Sequence, residues 1–184
     1  SPKTDPHTLV IGYLGRISQE KNLVSLVEAL SNFVTDDAFI LKLAGPKSAY
    51  LDNILALDDC LNIEWVGPKY GPDKVEFISS LDLFVHPSKA DVFSIAAMEC
   101  LAIGTPLIIT RDSKASYFYN SGGFFMSEST SYGINHAINE AVDRRDEWEN
   151  ISKNGQSLIL NTFNWNTASL SLIKGYESVL KGFK

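Results

Sequence analysis

Residues 83–110 read LFVHPSKADVFSIAAMECLAIGTPLIIT, an apolar run from Leu83 to His86, a break at Pro87, an apolar stretch from Val92 to Ile103, a second break at Gly104-Thr105-Pro106, and a second apolar run from Leu107 to Thr110. Runs of four bounded by proline or glycine fit buried strands, and the stretch between them is long enough for a helix. Strand, helix and strand in that order make one βαβ unit, with the two strands parallel. Between Val92 and Ile103 every residue is apolar or small except Glu99. A helix apolar all round is predicted to be buried, and a lone carboxylate on it needs compensation. The expectation is that something outside the chain provides it. Asp91 stands eight positions upstream, just before the predicted helix. At about 1.5 Å per residue the two acids would lie about 12 Å apart on nearly one face, about the reach of a sugar–diphosphate–ribose unit.

The same alternation extends outward from this unit. Leu9–Leu14 reads as a strand ending at Gly15, followed by a helix over 22–34 with Leu23, Leu26, Val27, Leu30 and Val34 on one face. Strands over 39–44, 62–66 and 124–126 and helices over 48–58 and 72–81 complete the pattern, and the third of the chain after Ser129 reads as two or three helices. Right-handed crossovers turn such a series into an α/β, Rossmann-like, doubly wound parallel sheet of about six strands with helices on both faces. Ligands of such sheets sit at the carboxyl ends of the strands, where Gly15, Gly45-Pro46 and Gly67-Pro68 fall. No repeat or low-complexity tract divides the chain.

At 184 residues, 45% hydrophobic and 21% charged, the sequence suits one ordinary globular domain. With a net charge of −6 and no basic face, nucleic acid is excluded as a partner, and the apolar runs are too short for membrane insertion. Cys60 and Cys100 form no disulfide framework, which fits a cytoplasmic compartment; Cys100 reads as a small buried thiol. His7, His86 and His136 are scattered, Asp36-Asp37 and Asp58-Asp59 read as solvated helix ends, and no metal site is expected. His86 itself reads as a strand-end residue hydrogen-bonded within the crevice wall. Trp65, Trp148 and Trp165 read as packing residues, and Tyr117-Phe118-Tyr119 as a cluster for a further domain.

After the first strand come Arg16 and Lys21. Neither Gly-x-Gly-x-x-Gly nor a Gly-Lys-Ser/Thr phosphate loop is present, so the dinucleotide and P-loop fingerprints are missing. Arginine offers a planar fork and lysine a point charge to phosphate oxygens; the plain alternative is surface charge, with Lys21 paired to Glu20 or Glu28.

Gly15-Arg16 with Glu20-Lys21-Asn22, Pro87-Ser88 through Asp91 to Glu99, Gly104-Thr105-Pro106 and Phe163-Asn164-Trp165 resemble the donor-binding, C-terminal domain of GT-B glycosyltransferases, closest to the retaining glycosyltransferase family 4. The resemblance runs over roughly 9–180. It implies that residues 1–7 are a linker from a missing N-terminal acceptor domain and that 8–184 are the nucleotide-sugar-binding half of a GT-B fold. It implies that Arg16 and Lys21 grip the donor diphosphate, Glu99 takes the ribose hydroxyls with both oxygens, and Asp91 meets the transferred sugar. It places Gly15 and the amides of Phe93, Ser94 and Ile95 against sugar and phosphate oxygens, and Lys69 and Tyr70 near the base. Retention without a metal or other cofactor is implied, as is transfer of a hexose or N-acetylhexosamine for polysaccharide or glycoconjugate synthesis. The setting would be the cytoplasm, with contact to the inner membrane face through the missing domain. Asp91 stands where the family usually has glutamate, Val92 and Ser94 where glycine is commonest, and the family's Gly-x-Pro-Glu stretch is missing from 112–123. A silent nucleotide-sugar-binding module and a GT-B-like epimerase remain as alternatives.

Overall fold

A computed structural model describes residues 8–33, 38–57, 61–113 and 121–182. The predicted linker at 1–7, the acids Asp36-Asp37 and Asp58-Asp59, together with His7, Val34, Cys60 and the aromatic cluster at 117–119, lie outside the described residues.

Among the described residues six parallel strands form one sheet in the order β3-β2-β1-β4-β5-β6. They are β1 (Thr8–Leu14), β2 (Ala38–Ala44), β3 (Ile63–Gly67), β4 (Leu83–His86), β5 (Leu107–Thr110) and β6 (Phe125–Ser127). Seven α-helices accompany them among the described residues, α1 (Leu23–Ser31), α2 (Ala49–Leu55), α3 (Gly71–Ser79), α4 (Ile95–Ile103), α5 (Ser131–Asp143), α6 (Trp148–Thr162) and α7 (Trp165–Gly182). The expected α/β, doubly wound arrangement is what the chain forms.

Strand alternation divides the core. Leu9, Ile11 and Tyr13 point to one face, where they meet Leu26 and Leu30 of α1, Leu51 of α2 and Ile134 and Ile138 of α5. Val10 and Phe84 point to the other and meet Phe77 and Ile78 of α3, Ala97, Cys100 and Leu101 of α4, and Ile159 of α6. Period-two side-chain direction sends successive residues of one strand into different layers. The register is long between β1 and β2, from Thr8↔Ala38 to Leu14↔Ala44. Between β1 and β4 it comprises Ile11↔Leu83 and Gly12↔Phe84.

Three expectations are corrected. The helix expected over 22–34 runs only Leu23–Ser31: Asn22, in a left-handed conformation (φ 58°), caps its start, and Asn32, outside helical geometry, caps its end. The helix expected over 48–58 ends at Leu55. The stretch from Val92 is not a helix buried all round: Ser94 is the N-cap, its hydroxyl accepting from the Ala97 amide, so helical structure begins at Ile95. Ala97, Cys100 and Leu101 form a single buried stripe, while Val92, Phe93 and Ile95 are exposed. The helical ruler therefore does not apply between Asp91 and Ser94.

Candidate functional site

The chain leaves β1 toward β2 and leaves β4 toward β5, in opposite directions, so the topological switch lies between β1 and β4. A crevice opens at such a switch, outside the carboxyl ends of the strands. The segments that follow these two strands, Gly15–Asn22 and Pro87–Ser94, are the ones singled out in the sequence.

Gly15 and Gly45 shape the rim. The Gly15 amide donates to the Ala44 carbonyl and the Gly45 amide to the Gly67 carbonyl, each at 3.0 Å, drawing the ends of β1, β2 and β3 together. A Cβ on Gly45 would lie 2.0 Å from the Gly15 carbonyl oxygen, closer than atoms approach, so glycine is required. Gly15, Arg16, Pro46, Lys69 and Tyr70 line a crevice of about 250 Å³ here. The Arg16 guanidinium is exposed and lies 3.3 Å from Glu20. Its backbone is held from beneath, its carbonyl accepting from the buried Tyr13 hydroxyl at 2.7 Å.

Lys21 is buried, and it pairs with Asp91 rather than with Glu20 or Glu28. Its Nζ donates to both carboxylate oxygens, at 2.5 and 2.8 Å. Nε2 of His86 lies 2.7 Å from the same carboxylate. A carboxylate only accepts, so Nε2 carries the hydrogen of that bond. The bond from His86, with the Lys21 pairing, outweighs desolvation and holds the Asp91 carboxyl well below the usual carboxylate range. His86 ends β4, 97% buried and bonded in the crevice wall as expected, with Nδ1 finding no partner among the described residues. Asn22 ties the two loops together, its side-chain amide donating to the carbonyls of Pro87 (3.0 Å) and Ser129 (2.8 Å). The Lys89 amide adds a bond to the Glu20 carbonyl at 3.2 Å.

Glu99, on α4, is not without a counter-ion in the chain. Nζ of Lys74, on α3, donates to its Oε1 at 2.5 Å, with the side chains 26% and 32% exposed. The expectation of a carboxylate compensated only from outside is corrected here. Lys74 and Glu99 are 25 positions apart, and nothing in local spacing couples them. The one weak hint was a cation in the fourth position of a helix, where the dipole does not favour it. At the start of α4 the amides of Ile95 and Ala96 have no intrahelical acceptor, as at any helix N-terminus. Phe93 packs against Phe163, ring centroids 5.9 Å apart. Trp65 and Trp148 are packing residues, donating to the carbonyls of Gly45 and Ala141. Trp165 is 88% exposed instead, beside Phe163 and Phe93. Cys100 is fully buried, as expected.

Solved structures share this architecture. A glycosyltransferase from Rickettsia africae superposes with a TM-score of 0.81 at 19% identity, covering 96% of this chain and 49% of that one. Anabaena HepE, solved in complex with UDP-glucose, gives 0.78 at 20% identity, covering 93% and 49%. Among curated proteins, the capsular polysaccharide biosynthesis glycosyltransferase CapM of Staphylococcus aureus is 25% identical over 178 residues, which are 94% of this chain and 47% of CapM. The chain thus spans less than half the length of such relatives. Residues 2–158 match the family model described as Glycosyl transferases group 1, and the chain belongs to that family.

Proposed function

We propose that this chain is the donor-binding half of a retaining glycosyltransferase of family 4. It takes a hexose or N-acetylhexosamine from a UDP- or GDP-sugar for polysaccharide or glycoconjugate synthesis. The observation that carries the reading is the gathering of Arg16, Lys21, Asp91 and the α4 N-terminus at the switch point between β1 and β4, in a chain of this family. The UDP-glucose complex of HepE, a protein of the same fold, supports a nucleotide sugar as the ligand.

Cleaving the anomeric C–O bond leaves negative charge on the diphosphate, and fixed cations and amides at that position lower the barrier. Arg16 offers its exposed fork. Lys21 spends two of its three hydrogens on Asp91 and keeps one for a phosphate oxygen. The amides at the start of α4, with Ser94 as cap, receive the remaining oxygens, since a helix N-terminus favours anions. The transfer is then metal-independent. Asp91, anchored by Lys21 and His86, meets the sugar hydroxyls, Glu99 the ribose, and Lys69 and Tyr70 the base. The acceptor site belongs to an N-terminal domain, to which residues 1–7 are the linker. That domain also provides any contact with the inner face of the membrane; among the described residues no helix is long and apolar enough to cross one.

Calorimetric titration with UDP-, GDP- and ADP-sugars tests the reading. One class should bind, and Glu99→Ala and Arg16→Ala should each weaken it by about 1.5–3 kcal/mol. Unchanged affinity in both folded variants overturns the assignment. The 184-residue chain alone should turn over far more slowly than a protein that includes the N-terminal domain.

A further inference from the structure

The crevice reading leaves Lys74 without a role, yet its ammonium is in direct contact with a proposed ligand-binding group. Its ammonium lies 2.5 Å from Oε1 of Glu99, and no bond to Oε2 accompanies it. A carboxylate has about four lone-pair positions, so Oε1 can accept from Lys74 and from a ribose hydroxyl together, while Oε2 takes the second hydroxyl. A glutamate side chain has three rotatable bonds, and one fixed contact limits where its oxygens point. Lys74 lies in the first turn of α3, where its amide makes the helix's opening bond to the carbonyl of the N-cap Tyr70 (3.4 Å), and Tyr70 lines the crevice beside Lys69. One residue thus joins the loop after β3 to the carboxylate on α4. The pair is partly buried, so the attraction is offset by the cost of desolvating both charges, and its net stabilising worth does not by itself account for it.

We propose that Lys74 is a positioning residue for nucleotide recognition, aiming the Glu99 carboxylate at the donor's vicinal ribose hydroxyls; this rests on the donor-site reading above. Lys74 does not itself touch the sugar being transferred.

The probes are UDP and GDP, each against its 2′-deoxy form, with inorganic pyrophosphate as the control lacking a ribose. The wild-type chain should prefer the ribonucleotide by about tenfold, the worth of one charge-assisted hydrogen bond. Lys74→Met should reduce that preference to about threefold or less while leaving pyrophosphate affinity unaltered. Lys74→Arg, which keeps a cation of similar reach, should restore most of it. Circular dichroism and urea unfolding establish that each variant is folded, and Lys74→Gln replaces Lys74→Met if the latter is not. A full ribose preference in folded Lys74→Met overturns the proposal while leaving the donor site standing. Tighter ribonucleotide binding in that variant also overturns it, since Lys74 would then be a competitor for Glu99. No binding of either nucleotide by the wild type overturns the donor-site reading and this proposal with it.

Discussion

Asp91 shows how a residue's pairing fixes its response to acid. Its carboxyl is more acidic in the folded chain than the roughly 3.9 of an unfolded aspartate. The stabilisation is therefore complete above that value and is lost as pH falls toward the lower, folded one. Asp91→Asn leaves a buried ammonium without its anion and should cost about 1.5–3 kcal/mol near neutral pH. The gap to wild type should close as the pH drops below about 4, in urea unfolding followed across that range. A gap constant with pH would show that Asp91 is not ionised against Lys21. Asp91 and Glu99 were legible as candidates because acids are conspicuous in an apolar stretch. Their partners were not, because Lys21 lies 70 positions from Asp91 and Lys74 lies 25 from Glu99. Such pairings exist only once α3, α4 and the loop after β1 are packed together.

At the scale of elements, the strands were read almost to the residue, since Leu83–His86 and Leu107–Thr110 are apolar runs closed by proline, glycine or a turn. Helix ends were less legible. The start of α1 depends on Asn22 taking a left-handed conformation, and that conformation is held by bonds to Pro87 and Ser129 from other parts of the chain. Asn22→Ala should therefore cost about 2–3 kcal/mol, combining an unfavourable φ with two carbonyls deprived of a donor. Asn22→Gly should recover about 1 kcal/mol of this, the conformational share alone. Equal losses in the two variants, measured by urea unfolding, would mean that backbone conformation contributes nothing. The start of α4 was misplaced for a related reason. Val92 and Phe93 are apolar enough to read as helix, but Ser94 caps the helix after them.

For the whole molecule, α7 is the element that the rest of the fold uses least. None of its residues is buried, and Leu170, Leu172, Ile173, Tyr176, Val179 and Leu180 all face outward. Ending the chain after Asn164 should therefore change unfolding free energy by less than about 1 kcal/mol, because little apolar surface returns to water. A larger loss in urea unfolding would show that α7 supports the sheet. The aligned pairs add a consequence for motion. β1 meets β2 along its whole length and meets β4 at Ile11↔Leu83 and Gly12↔Phe84, with the Asp82 amide and carboxylate bonded to the Val10 carbonyl and amide; this shorter ladder is the seam between two three-strand plates of one continuous sheet. Asn22, Lys21 and Lys89 are stitches across that seam, and a molecule lodged there would span both plates. Amide hydrogen exchange at the seam should accordingly slow on binding more than exchange within either plate, making the junction itself the reporter of occupancy.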